Sequence, residues 1–200
     1  PLEIAGGRGL LASIVVFVFM KKQGMKLKIN KYSMAIGTAI AVDMTLFVVA
    51  NKLTTAANAV VIQYTSPIWI LIFSALIFHK KFSRVDMIVV AITMGGIVLF
   101  FLDQLSTRGM IGNVIALISG ISMSFTFILN NEFSSKDGDA QVSGICIGHF
   151  MTFLVAAAVF PFVPFHTTGM EIIYILLLGT VQMGIPYALY SVCQRKLNAL

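Results

Sequence analysis

The chain has 200 residues, of which 58% are hydrophobic and only 11% charged, and its mean hydropathy is +0.93. Soluble domains carry about 25% charged residues, so a sizeable water-soluble domain is excluded. A formal charge of +6 would suit nucleic acid, but the basic residues flank apolar runs; no nucleic-acid partner is expected, and these residues read as topology signals facing anionic lipid.

A helical crossing of a bilayer takes about 20 apolar residues. Seven such runs follow one another, at residues 4–20, 32–50, 56–78, 85–102, 111–130, 142–163 and 172–193. The links after the first, third, fifth and seventh collect Lys21, Lys22, Lys26, Lys28, Lys31, Lys80, Lys81, Arg84, Lys136, Arg195 and Lys196. The opposite side holds only Arg8, Lys52 and Arg108. Cytoplasmic links gather Lys and Arg, so the chain reads as an all-α, polytopic bundle of an inner (plasma) membrane. Links 21–31, 80–84, 136 and 195–196 are then cytoplasmic. Residues 51–55, 82–84 and 103–110 are short connections that force sequential spans to be antiparallel neighbours. Residues 131–141, with Glu132, Ser134, Ser135, Asp137, Gly138 and Asp139, read as a flexible cytoplasmic loop. Residues 2–20 are too polar for a cleaved leader. The chain therefore reads as a segment of a longer protein. Cys146 and Cys193 lie within spans and read as reduced packing residues.

Several spans carry a small or polar stripe at helical spacing, which should face protein or water. In the third it is Ala56, Ala59, Gln63, Ser66, Pro67 and Ser74; in the fifth, Gly112, Ser119, Ser122, Thr126 and Asn130. In the seventh it is Gly179, Gln182, Pro186 and Tyr190, with Gly184 and Tyr187 alongside. Close helix approach explains the Gly and Ala positions. Gln63 and Gln182 each need a partner or a watery cavity, because an amide in hydrocarbon is costly. Pro67 and Pro186 each remove a backbone hydrogen bond, and Gly184 with Pro186 reads as the sharper helix break.

Asp43 lies near the centre of the second span, where a carboxylate costs about 2.5–3.5 kcal/mol on insertion scales. It reads either as a proton-coupling or cation-binding group or as half of a buried polar pair. His149 suits a helix contact better than a proton relay. Arg8, toward the outer end of its span, can reach headgroups by snorkelling. Trp69 and the Phe-rich runs are apolar filling that would also suit an aromatic solute. The polar contacts to a substrate are assigned to Asp43, Gln63, Tyr64, Ser66, Pro67, Ser122, Gln182 and Tyr187.

Enzyme classes find little support. Gly120-Ile121-Ser122 lacks the following Gly of a nucleophile motif. No Cys/His cluster has metal-ligand spacing, and no phosphate-binding Gly-rich loop is present. Neither metal nor cofactor is expected. The rival of another class is a seven-helix receptor, sensor or membrane scaffold, although the last span offers no Lys for retinal.

Thr55-Ala56-Ala57-Asn58-Ala59 opens a span, Pro67 stands at its middle, a basic turn follows, and the next helix ends in Gly95-Gly96-Ile97-Val98-Leu99. With Arg8 before Leu10-Leu11-Ala12, and Gly109-Met110-Ile111-Gly112 before Ala116 and Ser119, this resembles the EamA-like carriers of the drug/metabolite transporter superfamily. The resemblance runs from the second to the eighth of ten spans. Many members place Gly-Glu or Lys-Glu at the cytoplasmic turn, where this chain has His79-Lys80-Lys81, so no role is transferred from that Glu. The resemblance implies two inverted five-helix repeats with a central cavity lined by the second, third, fifth and seventh visible spans. Residues 1–103 would form the first repeat without its first span, and 109–200 the second without its last two. It also implies a secondary carrier of small organic solutes, most plausibly an exporter, working by alternating access, with protons as candidate coupling ion and a homodimer as candidate assembly. Asn51-Lys52-Leu53-Thr54-Thr55-Ala56 has a counterpart in Arg195-Lys196-Leu197-Asn198-Ala199, with Gly37-Thr38 and Gly179-Thr180 upstream, as an inverted repeat requires.

Overall fold

The computed structural model describes residues 2–101, 109–159 and 169–197, all helix and connecting turns, without a strand among them. The helices are α1 (Leu2–Lys22), α2 (Lys31–Leu53), α3 (Ala56–Gln63), α4 (Ser66–Phe78), α5 (Arg84–Phe101), α6 (Met110–Lys136), α7 (Gly138–Val159), α8 (Gly169–Leu177) and α9 (Ile185–Leu197); a π-helical segment, Leu178–Gly184, joins the last two. Arg108 and residues 198–200, invoked above, lie outside the described residues.

Six helical stretches are long and apolar enough to cross a bilayer: Ile4–Lys22, Lys31–Leu53, Ala56–Phe78, Met110–Ser134, Gly138–Val159 and Gly169–Gln194. The remaining expected span corresponds to the 18-residue α5, whose Val85, Met87, Ile88, Val89, Ile92 and Leu99 are exposed as lipid-facing residues would be. The protein is an all-α, multi-pass membrane protein.

Residues 131–141 differ from the sequence reading. α6 runs on to Lys136 and α7 begins at Gly138, which leaves only Asp137 between them. Local pairing explains the gain in helix. Asp137 Oδ1 accepts the Ala140 N–H at 3.1 Å as an N-cap, and Lys136 pairs with Glu132 one turn earlier at 3.5 Å.

By proximity the helices form two compact units, residues 1–45 with 129–200 and residues 46–128. In the first, α7 packs against both α1 and α2 through glycine. A Cβ on Gly144 would lie 2.7 Å from Ile36 Cβ, and one on Gly148 2.7 Å from Ile40 Cβ. Small residues one turn apart let helices approach closely. Val16, Met20, Ile36, Ile40, Val142 and Ile145 fill the space between them.

The last span meets α1 in the same manner. A Cβ on Gly179 would lie 2.9 Å from the Arg8 carbonyl oxygen, and one on Gly184 2.7 Å from Val15 Cβ. In a π-helix residues five apart share a hydrogen-bonded turn, so both glycines fall on the side facing α1. Pro186 follows this segment without interrupting the helix, which continues as α9. The widened turns therefore stand where the sequence suggested a sharp break.

In the second unit, α3 packs on α6 around Ala50, Ala59 and Ala116, with Phe47, Ile62 and Ile115 at the margin. Gly112 touches the Leu53–Thr54 backbone, and Gly120 lies where a Cβ would be 2.8 Å from the Gln63 carbonyl oxygen.

A clasp joins the link after α1 to the start of α7. Lys28 Nζ donates to Asp137 Oδ1 at 2.8 Å, the Lys28 N–H to Ser143 Oγ at 2.9 Å and the Lys26 N–H to Asp139 Oδ2 at 3.4 Å. The side-chain hydrogen bond holds the Lys28 ammonium above its ordinary pKa of 10.5 and the Asp137 carboxyl below its ordinary 3.8. The carboxylate's contribution is therefore present above pH 3.8 and lost as pH falls through the depressed folded value. That of Lys28 is present below pH 10.5 and lost as pH rises through the raised one. Asp137→Asn is expected to speed hydrogen exchange at the Lys26 and Lys28 amides at pH 7, and wild-type protein below the folded pKa of Asp137 should show the same reduced protection once exchange is corrected for the intrinsic rate at each pH. Unchanged exchange in the variant would remove the clasp.

Candidate functional site

The third span enters the bilayer as α3 and leaves it as α4, with Tyr64 and Thr65 between them outside the helix. Pro67 causes this locally. It occupies the first turn of α4, where a missing N–H does no harm, and it bars continuous helix through residues 63–66. Thr65 stabilises the break from within, donating both its N–H (3.1 Å) and its Oγ1 hydroxyl (2.7 Å) to the Ile62 carbonyl. Trp69 Nε1 then donates to Thr65 Oγ1 at 3.2 Å.

Polar groups line up along the face of α3 toward α6. Thr54 Oγ1 donates to Asn113 Oδ1 at 2.7 Å, and Asn58 Nδ2 donates to the same oxygen at 3.1 Å. Thr55 caps α3 by accepting the Asn58 N–H at 3.1 Å. Two turns further in, Gln63 Nε2 donates to Ser119 Oγ at 3.0 Å in a fully buried contact. Gln63 thus has the partner that its place in a span demands.

Beyond the break the character changes to aromatic. Trp69 stacks with Phe73 at 5.9 Å between ring centroids, and Phe73 with Phe125 of α6 at 4.7 Å. Tyr64 is 44% exposed at the break itself, Ser66 is buried and Pro67 half-buried. Ser122 is half-buried on α6, one turn before Thr126, which donates to its carbonyl at 3.3 Å. The broken span therefore brings together Gln63, Tyr64, Ser66 and Pro67, with Ser119 across from them and a stacked aromatic column behind.

The other expected site residues stand elsewhere. Asp43 lies in α2 in the first compact unit, 2% exposed and engaged by other groups of the protein. Gln182 is exposed on the π-helical segment. Tyr187, half-buried on α9, sets its ring at 73° to that of His149 with centroids 4.7 Å apart. Sequence reasoning missed the Thr54–Asn58–Asn113 ladder; the spacing of Thr54 and Asn58, one turn apart, was its only trace. Among the described residues no group of three His, Cys, Asp or Glu is placed to hold a metal ion.

Fold and site together define a helical, multi-pass membrane protein with a discontinuous span. The description that matches residues 1–102, just over half of the chain, is the EamA-like transporter family, and the chain belongs to it. It is accordingly a membrane transporter of small solutes. Among solved structures, one crystal structure of a protein superposes with a TM-score of 0.81 at 17% identity, over 98% of this chain and 70% of the other. Identity that low speaks for the fold alone. No curated protein matches.

Removing the acceptor of the buried amide tests the polar face. Ser119→Ala should cost about 1 kcal/mol, the usual scale of an interhelical hydrogen bond in a membrane, read as a lower midpoint in denaturant titration. Adding Gln63→Leu should recover part of the loss, since both polar partners are then gone. A midpoint unmoved by Ser119→Ala would show that the pair carries no weight.

Proposed function

We propose that this chain is the core of a secondary carrier that moves small organic solutes, such as amino acids, metabolites or drug-like compounds, outward across an inner membrane by alternating access. The observation that carries this reading is the break at Tyr64–Thr65. Irregular backbone at membrane depth is tolerated only where it is covered by protein or lines a watery path, and transporters place solute contacts at such discontinuities. Here the break is flanked by Gln63 and Ser66 and continues into the Trp69–Phe73–Phe125 column. In this reading Tyr64 and the break's backbone make the polar contacts, and the aromatic column supports an apolar part of the solute.

Two inverted repeats, residues 1–103 and 109–200, fit the same reading. Gly37 and Gly179, which the repeat would bring into correspondence, both lie at close helix approaches. The driving force is a proton gradient or the solute's own gradient. We place the links around 21–31 and 80–84 in the cytoplasm because they hold most of the Lys residues.

Pro67→Ala allows α3 and α4 to join as one helix, so it should leave thermal stability equal or higher while lowering solute flux at least tenfold in vesicles holding the full-length protein. Flux equal to wild type in a folded Pro67→Ala variant would overturn the role of the break. Single cysteines at Lys26 and Lys81 should both react from the cytoplasmic side with a membrane-impermeant reagent. Labelling from opposite sides would invalidate the topology.

A further inference from the structure

Within the first compact unit, where α1, α7 and α9 pack on one another, stand three side chains that can donate hydrogen bonds. His149, on α7, has no exposed surface, and neither Nδ1 nor Nε2 has a hydrogen-bond partner among the described residues. The edge of the Tyr187 ring closes one side of the imidazole at a centroid distance of 4.7 Å. Arg8, on α1, adjoins Gly9, which meets α7 at the His149 backbone, and its charge bears on both His149 and Tyr187.

Backbone contacts fix this group in place. A Cβ on Gly9 would lie 2.9 Å from the His149 carbonyl oxygen, and one on Gly179 2.9 Å from the Arg8 carbonyl oxygen. The helices therefore cannot close further on the cluster, nor can they exchange neighbours without parting.

A guanidinium keeps its charge in a protein, and a cation within a span normally faces a carboxylate or a watery cavity. Arg8 has neither an ion pair nor a hydrogen bond among the described residues. A buried imidazole without a partner calls for an explanation of its own. An anionic oxygen would answer the guanidinium and the one N–H of a neutral imidazole together.

We propose that Arg8, His149 and Tyr187 form a binding site for an anionic oxygen group, a carboxylate or a phosphate. The planar fork of Arg8 takes two of its oxygens side by side. His149 donates one ring N–H from the enclosed side, and the Tyr187 hydroxyl donates from the flank. Arg8 and Tyr187 keep partial exposure while His149 has none, so the anion enters past the first two and stops at the third. The group arrives either on a soluble molecule or as a lipid headgroup. The site and the broken span belong to different compact units, and the site stands or falls independently of the carrier reading.

The test uses the full-length protein in nanodiscs of pure phosphatidylcholine, with thermal unfolding as readout at matched ionic strength. The soluble probes are benzoate, its neutral counterpart benzamide, and inorganic phosphate. A parallel arm replaces a third of the lipid by phosphatidylglycerol, without added solute. Benzoate or phosphate should raise the melting temperature, benzamide should not, and Arg8→Gln should abolish the shift while Arg8→Lys keeps part of it. Stabilisation confined to the phosphatidylglycerol discs and abolished by Arg8→Gln would assign the same site to a headgroup. Tyr187→Phe keeps the ring against His149 and should weaken anion binding at least threefold, which serves should Arg8→Gln fail to fold. Absence of stabilisation by benzoate, phosphate and phosphatidylglycerol alike, or a shift that survives both Arg8→Gln and Tyr187→Phe, overturns the proposal.

Discussion

Close approach of helix backbones is the constraint on which this structure rests. In lipid an apolar side chain gains little by leaving one hydrocarbon neighbour for another, so helix association depends on van der Waals contact and interhelical hydrogen bonds. Glycines meet that need along α7 against α2, along the π-helical segment against α1 and along α6 against α3. At each contact the next backbone or β-carbon stands where a larger residue would have its own Cβ. The apolar clusters fill what the glycines leave, and leucine and isoleucine in quantity are turned outward.

Polar groups inside the spans follow from the same solvent. Between α3 and α6 they are matched: Thr54 and Asn58 with Asn113, and Gln63 with Ser119. Around His149 they are not: neither ring nitrogen has a partner among the described residues. One set ties helices together; in the other a buried imidazole is left without a partner among the described residues. This difference separates a structural amide from a candidate binding group more sharply than residue type does.

The spans and their order were legible in the sequence because a bilayer fixes helix length and allows backbone polar groups little choice but helix. The break near Pro67 was legible as a proline within a span, and the fold class followed from the alternation of basic and neutral links. Residues 131–141 were read as a loop from their composition. Residues there serve instead as an N-cap and as an i,i+4 pair, which composition does not distinguish from a turn. At Gly184 and Pro186 the residues that suggested a break belong to a widened helix, because the two glycines five apart both have a backbone to meet on α1.

By itself the sequence determined that the chain crosses a membrane repeatedly, which links are basic, and which spans carry polar or small stripes, since these depend on residue type and local spacing. Only the tertiary structure decided that Gln63 is answered by Ser119, that Tyr187 belongs with His149 and Arg8, and that Gln182 faces outward. Helices join residues distant along the chain through their rotation about their own axes, and that rotation is set by where glycines let two backbones touch.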